Sequence, residues 1–415
     1  MKQIAIVGLA LLMASCTTRK DDYIAPPQTG GDNKDSIYTA KTYYGKAKVV
    51  FDHILKFYPV DGTVLFAENY PALSNDPQVS YMWPLSGLFT GSSLLRHLGY
   101  QSEGQDKVDN AIGYYWQASK TSRPLPPGID FVPGFQSYPG IYGGGDRFYD
   151  DNGTGGLDYI EAYNASKNSV YLTRAEECLQ MAMTGEDNLA GGGLWWNEQD
   201  RTNPESANYI KCANTSAFAA TLALELVKIS PNQSYLDFAK RAYSWTKQNL
   251  QDPADKSIWN DVNVKSGIPN KTKWSYNTGA MLSNAVLLYE LTGEEKYKTD
   301  AAELAAAGFK VFTEDVNGVK FFTLHDPWFN VILFRGYLAY YRIEKGQPAL
   351  NYINTFIANA DHAWKSARMP NGFFCEDWSG RTQGRYQWLL HQACMVETYA
   401  RISQFKGENI PAVKP

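Results

Sequence analysis

The clearest structural pattern is the pair TSAFAATLALELVKI, residues 215–229, and YLDFAKRAYSWTKQNL, residues 235–250. The first segment is small and apolar on nearly every side, which is typical of a helix that is buried all round. The second has apolar residues at helical spacing with polar residues between them, which is typical of an amphipathic helix. The break SPN at residues 230–232 is a turn signal. The pair therefore predicts a helical hairpin with one buried and one half-buried helix.

The same hairpin pattern recurs along the chain with a period of about 60 residues, which indicates stacked repeats. Buried helices are predicted at 85–98, 154–163, 215–229, 277–291, 330–343 and 386–403, and amphipathic helices at 38–57, 108–116, 171–183, 235–250, 297–312 and 349–364. The first amphipathic helix and the last buried helix have no partner of their own, and they pair if the chain closes into a ring. We therefore predict an all-α fold, an (α/α)6 barrel (toroid) of six helical hairpins. It forms one domain over residues 37–405, and residues 406–415 form a C-terminal tail.

The N-terminal segment MKQIAIVGLALLMAS, residues 1–15, predicts a secretory signal peptide, because one lysine precedes an apolar run too short to span a membrane. Cys16 follows directly, which resembles a bacterial lipoprotein signal whose cysteine is lipidated. KDD at residues 20–22 resembles the acidic export tag of surface lipoproteins in the Bacteroidetes. Residues 16–36 are polar with Pro and Gly, which predicts a flexible tether. We expect a lipid-anchored outer-membrane protein exposed at the cell surface; the alternative is a soluble secreted protein with an incidental cysteine.

The composition excludes several classes of function. The 415 residues carry 39 basic and 43 acidic side chains, and the net charge of −4 argues against a nucleic-acid-binding groove. The cysteines after Cys16 form neither a CxxC motif nor a zinc-site spacing with histidine, so we expect no metal or other cofactor. Export permits disulfides, but buried thiols are the favoured interpretation. These cysteines are Cys178, Cys212, Cys375 and Cys394.

Aromatic residues make up 14% of the chain and are abundant in the loops that enter the predicted buried helices. These loops read YMWP (81–84), FYDDNGTGG (148–156), GGGLWWNEQD (191–200), KWSYN (273–277), HDPWFN (325–330) and GRYQW (384–388). A closed ring brings all six loops to one face, where convergent aromatic and polar groups predict a carbohydrate cleft. The predicted sugar platforms are Trp83, Trp195, Trp196, Trp274, Tyr276 and Trp328. Further predicted substrate-binding residues are Tyr149, Asn152, Asn214 and Asn277.

Asp150 and Asp151 form the densest candidate catalytic site. Glycoside hydrolysis needs two carboxyl groups in different protonation states, one to protonate the leaving oxygen and one to attack the anomeric carbon or activate water. Adjacent residues on an irregular loop can reach the spacing of about 5–5.5 Å that retaining enzymes use, and close carboxylates push their pKa values apart. The alternative is an aspartate that caps a helix beginning at Thr154, beside a solvated neighbour. Asp158 and Glu161, one turn apart on the following helix, either face the cleft or are buried partners.

Several motifs together resemble glycoside hydrolase family 76, the endo-α-1,6-mannanases. They are FYDDN at 148–152 with LDYIEAY at 157–163, GGLWW at 192–196, Asn214 with Ser216, WSYNTG at 274–279, and Phe329 with RGYL at 335–338. The resemblance is collinear from about Asp52 to Ala400. It implies an (α/α)6 barrel and retaining chemistry, with Asp150 as the nucleophile, Asp151 as the general acid/base, and no metal.

Two stretches depart from the pattern of that family. GTGG stands at 153–156, where the family often has a bulky aromatic residue, and FNV stands at 329–331, where it often has F-K-G. Both stretches lie near the predicted cleft. They therefore bear on which glycan is accepted more than on the reaction.

We expect a monomeric enzyme that cleaves α-1,6-mannosidic bonds in microbial mannan with retention of configuration. Its expected partners are a polysaccharide or oligosaccharide substrate and a lipid anchor in the outer membrane. The alternatives are an (α/α)6 hydrolase acting on a different α-linked glycan, an unsaturated-uronide hydrolase or sugar epimerase of the same fold, and a non-catalytic surface glycan-binding protein. The adjacent aspartates argue against the uronide hydrolase or epimerase, because those enzymes use carboxyl groups that are separated in the sequence. They also argue against a non-catalytic binding protein, which needs no carboxyl pair.

Overall fold

The computed structural model describes residues 40–118, 125–324, 326–382, 384 and 387–408. The predicted signal peptide at 1–15, the lipidation candidate Cys16 and the predicted tether at 16–36 lie outside these described residues. Within the described part of the chain, no helix has both the length and the apolar character needed to cross a membrane.

Twelve α-helices alternate between an inner and an outer layer in the part of the chain that the structure describes. They are α1 (Tyr43–Phe57), α2 (Met82–His97), α3 (Glu103–Gly113), α4 (Tyr149–Ser166), α5 (Ser169–Met183), α6 (Ala213–Ile229), α7 (Gln233–Leu250), α8 (Ser275–Thr292), α9 (Glu295–Val311), α10 (Pro327–Ile343), α11 (Gln347–Ser366) and α12 (Leu389–Lys406). The even-numbered helices are buried along most of their length, and the odd-numbered helices bury one face. Each helix corresponds to a predicted one. Five inner helices begin earlier than predicted, and α12 begins later.

The inner helices form a closed ring. They pack side by side in the order α2, α4, α6, α8, α10 and α12, and α12 returns to pack against α2. Helix α1 also packs against α12, so the first and last helices make the sixth hairpin pair. The predicted all-α (α/α)6 barrel is confirmed.

Short antiparallel strands brace the loops between the helices. Within the described residues they are β1 (Asn69–Tyr70), β2 (Trp116–Gln117), β3 (Gly134–Phe135), β4 (Ile210–Cys212), β5 (Trp259–Asn263), β6 (Pro269–Lys273), β7 (Thr313–Val316), β8 (Val319–Phe322) and β9 (Gln387–Trp388). Strand β1 pairs with β9, β2 with β3, and β7 with β8, while β4, β5 and β6 form one sheet. That sheet ties the loop entering α6 to the loop entering α8. The β1–β9 pair joins the two ends of the barrel sequence.

A buried ion network lies inside the barrel. Arg335 of α10 and Arg401 of α12 both donate to the Glu397 carboxylate, at 2.5 and 2.7 Å. Burial alone raises the pKa of Glu397, but the two guanidinium groups outweigh it and hold that pKa at about 2. Arg401 also donates to Glu161 of α4 at 2.9 Å. The buried charges are therefore paired across three inner helices, as burial requires.

Two glycines let α8 and α10 approach closely. A Cβ atom added at Gly279 would lie 2.5 Å from Leu333 Cα and 2.6 Å from Leu333 N. One added at Gly336 would lie 2.8 Å from the carbonyl oxygen of Gly279. Because backbone atoms cannot move aside as a flexible side chain can, a larger residue at either position must separate the two helices.

Replacing Gly279 by alanine should lower the free energy of unfolding by about 1–3 kcal/mol, because the added methyl group overpacks a backbone contact. Gly113→Ala in α3 is the matched control, since a Cβ atom there meets nothing within 4 Å. That control should be neutral or stabilising by less than about 1 kcal/mol. Urea unfolding of both variants measures the difference, and equal stability would contradict the close approach of α8 and α10.

Candidate active site

The inner helices all begin at one end of the barrel, because an antiparallel outer helix separates each inner helix from the next. The loops that enter α2, α4, α6, α8, α10 and α12 therefore share one surface, which we call the mouth. This is the face on which the sequence places the aromatic loops.

Asp150 and Asp151 lie in the first turn of α4 rather than on the irregular loop predicted from the sequence. Helix α4 begins at Tyr149, so neither aspartate caps it and the helix start predicted at Thr154 was wrong. The aspartates still lie at the mouth, since the first turn is the end of the helix that faces it. The free N–H groups and the dipole of a helix N-terminus stabilise negative charge at this position.

Close packing explains why the glycine-rich run after the aspartates is helical. A Cβ atom at Gly156 would lie 2.2 Å from the Leu222 side chain, and one at Gly153 would lie 3.0 Å from the Phe218 side chain. Both contacts are with α6, so the glycines let α4 lie close to its neighbour. Glycine disfavours helices, and tertiary packing overrides that preference here.

Three N–H donors hold the Asp150 carboxyl. Trp196 Nε1 and Asn214 Nδ2 donate to Asp150 Oδ2 at 2.9 and 2.6 Å, and the Asp151 backbone N–H donates to Asp150 Oδ1 at 3.0 Å. Burial raises the pKa of Asp150 to about 6, and these donors limit the rise because they favour the ionised form. Two predicted substrate-binding residues, Trp196 and Asn214, therefore contact the carboxyl itself.

The Asp151 carboxyl makes no hydrogen bond to the described residues. Burial raises its pKa well above the ordinary value for aspartate, and the adjacent charge on Asp150 raises it further. Asp150 therefore loses its proton first, and Asp151 stays protonated at a pH where Asp150 is ionised. One carboxylate beside one carboxylic acid is the pair that glycoside hydrolysis with retention requires.

Half-buried aromatic rings from three inner helices, from the residue before α8 and from strand β9 meet at the mouth. Trp83 of α2 lies nearly parallel to Phe329 of α10, with 6.1 Å between ring centroids, and meets Trp388 of β9 edge-on at 5.2 Å. Tyr276 of α8 and the preceding Trp274 contact Phe329 at 4.3 and 5.5 Å. Rings of this kind offer an apolar face together with a polar edge, which suits a sugar ring.

A protein-family model described as "Glycosyl hydrolase family 76" matches residues 42–409, a range that includes all twelve helices. The chain belongs to glycosyl hydrolase family 76. The resemblance carried by the sequence motifs is thereby confirmed, and the aspartate pair of this family 76 chain lies among the matched residues.

Two solved structures of the family share the fold. The family 76 mannosidase of Bacteroides thetaiotaomicron is 26% identical, and the match covers 88% of this chain and 100% of that chain with a TM-score of 0.76. A family 76 glycoside hydrolase from a bovine strain of the same species is also 26% identical. That match covers 89% of this chain and 79% of the other, again with a TM-score of 0.76.

Curated relatives of the chain are fungal proteins matched over shorter stretches. A mannan endo-1,6-alpha-mannosidase of Candida albicans is 25% identical over 297 residues, which are 68% of this chain and 58% of that protein. The chain spans about a third of the length of the first curated relatives that it matches, at 35%, 28% and 30%.

Six residues predicted to bind substrate are buried in this family 76 barrel, among them Asn214, which is 8% exposed and donates to Asp150. The other five make no side-chain hydrogen bond to the aspartate pair in the described part of the chain. They are Trp328, which is 5% exposed, and Tyr149, Asn152, Trp195 and Asn277, which are 0% exposed. A side chain with almost no exposed surface presents no free face to a sugar in this structure, so substrate contact by these five residues stays a prediction. Tyr149 and Asn152 lie one turn apart on α4, where the Tyr149 hydroxyl accepts from Arg201 at 2.8 Å. Trp195 alternates with Trp196 on an extended segment, so the two indole rings point to opposite sides.

The buried residues around the mouth hold its loops in place. Asn152 accepts from the Phe135 backbone N–H at 2.7 Å and donates to the Phe135 carbonyl oxygen at 3.1 Å. Arg147, just before α4, forms an ion pair at 3.0 Å with Glu198, which follows the Trp196 loop. Removing one partner of a buried pair leaves the other charge unpaired, so this pair fixes the loop that carries Trp196 against the start of α4.

Asp158 and Glu161 lie deeper in the barrel and not at the mouth. Asp158 accepts hydrogen bonds from Ser86 and Thr90 of α2. Burial raises the pKa of Asp158 to about 7. Glu161 pairs with Arg401 and its side chain is 28% exposed, so Asp158 is a buried partner and Glu161 a partly exposed one.

Glu68, Phe329 and Trp388 lie at the mouth and were missed as site residues from the sequence. Glu68 accepts from Trp388 Nε1 at 2.6 Å and from the Tyr81 backbone N–H at 2.8 Å. Burial raises the pKa of Glu68 to about 7. Phe329 and Trp388 belong to the aromatic sequence segments at 325–330 and 384–388, a signal that could have identified them. Glu68 carries no such signal, because it lies outside the six aromatic segments that recur before the inner helices.

Among the described residues, no group of three or more His, Cys, Asp or Glu side chains is placed to hold a metal ion. The four cysteines after the predicted signal are buried free thiols, which confirms their interpretation. They are Cys178, Cys212, Cys375 and Cys394.

Replacing Asp151 by asparagine should stabilise the fold at pH 7, because burial and the Asp150 charge make the ionised carboxyl less stable in the folded protein than in the unfolded chain. The sign follows from a folded pKa above the unfolded one. The gain should shrink as the pH falls towards 4, where this carboxyl also binds a proton in the unfolded chain. Thermal unfolding at pH 7 and pH 4 measures it, with the exposed Asp130→Asn as a charge-matched control. An equal gain at both pH values would contradict the raised pKa of Asp151.

Proposed function

We propose that the protein is a retaining glycoside hydrolase that cleaves α-1,6-mannosidic bonds in microbial mannan. The observation that carries the proposal is the pair of neighbouring carboxyls with different protonation states, Asp150 and Asp151, in a recess beside aromatic rings. Membership of family 76 supports the reaction class. The relatives named as a mannosidase and as a mannan endo-1,6-alpha-mannosidase support the choice of substrate.

In the first step of the proposed reaction, the ionised Asp150 attacks the anomeric carbon while Asp151 protonates the leaving glycosidic oxygen. The N–H donors on Asp150 Oδ2 orient its carboxylate, and the start of α4 stabilises its charge. In the second step, Asp151, now ionised, takes a proton from water. The water oxygen bonds to the anomeric carbon and the bond to Asp150 breaks. Two displacements at one carbon retain its configuration.

The half-buried rings are proposed to hold mannose units on both sides of the cleavage point. Trp83, Trp274, Tyr276 and Trp388 present faces and polar edges at the mouth, and Phe329 lies between them. Neutral aromatic contacts suit a neutral glycan, because sugar rings have apolar faces and carry no charge.

The decisive test is hydrolysis of debranched α-1,6-mannan by a soluble form without residues 1–20, beside Asp150→Asn and Asp151→Asn. The wild type should release oligosaccharides with retained anomeric configuration. Loss of the general acid/base in Asp151→Asn should lower kcat by about 10²–10⁴-fold, and Asp150→Asn should lose at least as much. Product analysis by NMR measures both the rate and the anomer. Asp130→Asn is the control and should keep full activity.

Three outcomes would contradict the proposal. Mannan bound but not cleaved by the wild type would favour a glycan-binding protein. Release by both aspartate variants would mean that the catalytic carboxyls lie elsewhere. Cleavage of another α-linked glycan but not of mannan would agree with the proposed hydrolysis and contradict the proposed substrate.

We also propose that the protein is anchored to the outer membrane through a lipid on Cys16 and faces the cell exterior. The support is the sequence alone: an apolar signal at residues 1–15 with a cysteine directly after it. Expression of the full chain in a Gram-negative host should place it in the membrane fraction, and Cys16→Ala should shift it to a soluble fraction. Equal distribution of the two forms would contradict the lipid anchor.

A further inference from the structure

A row of three tyrosines and one isoleucine extends outward from the mouth. Tyr81 and Tyr138 have ring centroids 5.3 Å apart, and Tyr138 and Tyr142 have centroids 6.4 Å apart. Their planes are tilted by 53° and 51°, so no ring stacks flat on its neighbour. Ile141 is 63% exposed and Tyr81 is 39% exposed. We call this row of Tyr81, Tyr138, Ile141 and Tyr142 the rim.

The rim is continuous with the mouth. Tyr81 is the residue before α2 and lies two positions from Trp83, a separation of at most about 7 Å between Cα atoms. Glu68 joins the two regions, since one of its oxygens accepts from the Tyr81 backbone and the other from the Trp388 indole. Trp388 in turn meets Trp83 edge-on. A chain bound over Trp83 and Trp388 therefore has further aromatic surface directly beside it.

Backbone hydrogen bonds fix the loop that carries the rim. Met82 N–H donates to the Ser137 carbonyl oxygen at 2.9 Å, and Ser137 N–H donates to the Asp146 carbonyl oxygen at 2.8 Å. The loop is thereby tied both to the start of α2 and to the segment that leads into the aspartates. Gly143 makes the turn after the short 3₁₀ helix at Gly140–Tyr142, with a φ of 99° that favours glycine. The rings are therefore carried by a loop that hydrogen bonds hold in place, so less conformational entropy is lost when a ligand binds.

We propose that the rim is an additional binding subsite for a neutral glycan chain, holding sugar units beyond those that occupy the cleavage site. This proposal rests on the proposed glycan hydrolase function. Amphipathic faces continuous with a carbohydrate cleft suit the same polymer that passes through it. The rim gives polymeric mannan an advantage over short oligosaccharides, which end before they reach it.

The test compares the double variant Tyr81→Ala/Tyr142→Ala with the wild type on two substrates. One is debranched α-1,6-mannan, and the other is the shortest α-1,6-manno-oligosaccharide that the wild type cleaves. The KM for mannan should rise about fivefold to tenfold, given the size of aromatic contacts, while kcat on mannan and both constants for the oligosaccharide stay unchanged. Ile141→Ala, which removes only an exposed side chain, should raise the KM for mannan about twofold.

Tyr289→Ala is the matched control, because Tyr289 is a half-buried tyrosine at the opposite end of the barrel, near the end of α8. Equal changes on both substrates, or no change on either, would overturn the rim proposal. Slower migration of each protein in a native gel that contains mannan measures binding separately from cleavage. A wild type that cleaves nothing, with a double variant that still loses the slower migration, would overturn the proposed hydrolysis and keep the rim as a glycan-binding surface.

Discussion

Two neighbouring carboxyl groups, Asp150 and Asp151, repel each other electrostatically in one desolvated site at the mouth of this barrel. That repulsion sets the protonation state of each carboxyl. Burial raises the pKa of both Asp150 and Asp151, so neither ionises as readily as a solvated aspartate. The side chains of Trp196 and Asn214 donate to Asp150 and not to Asp151, so Asp150 ionises first. Its charge then holds the proton on Asp151. One carboxylate and one carboxylic acid result from unequal hydrogen bonding within a single turn of helix.

Burying the carboxyl groups of Asp150 and Asp151 lowers the free energy of unfolding. Ion pairs and close packing in the surrounding loops offset this loss. Lys211 Nζ donates to Asp187 at 2.6 Å and to the carbonyl oxygens of Leu189 and Gly192 at 2.8 Å, which closes the glycine loop before Trp196. A Cβ atom at Gly193 would lie 2.4 Å from the Trp245 ring, so that loop lies directly on α7. Trp196 thus reaches Asp150 from a backbone that is fixed on both sides.

Repeat periodicity predicted the ring, its closure and the face that carries the site, because buried and amphipathic helices differ along their whole length. Single side chains were harder to place. Trp195 and Trp196 are chemically identical neighbours, and only the direction of an extended backbone decides that one is buried and the other meets Asp150. The helix predicted to begin at Thr154 begins at Tyr149, because the close packing of Gly153 and Gly156 on α6 is not visible in the sequence. Glu68 is held by hydrogen bonds from Tyr81 and Trp388, which lie elsewhere in the sequence, so no local sequence pattern identifies it.

The measurement that tests this account most directly is a ¹³C NMR pH titration of the aspartate carboxyls in the free protein, with Asp150→Asn and Asp151→Asn used to assign the two signals. We predict that Asp150 titrates near pH 6 and that Asp151 keeps its proton to a higher pH than Asp150. We also predict that the pKa of Asp151 falls in Asp150→Asn, because the neighbouring charge is gone. Two carboxyls that both titrate near pH 4 would contradict the account.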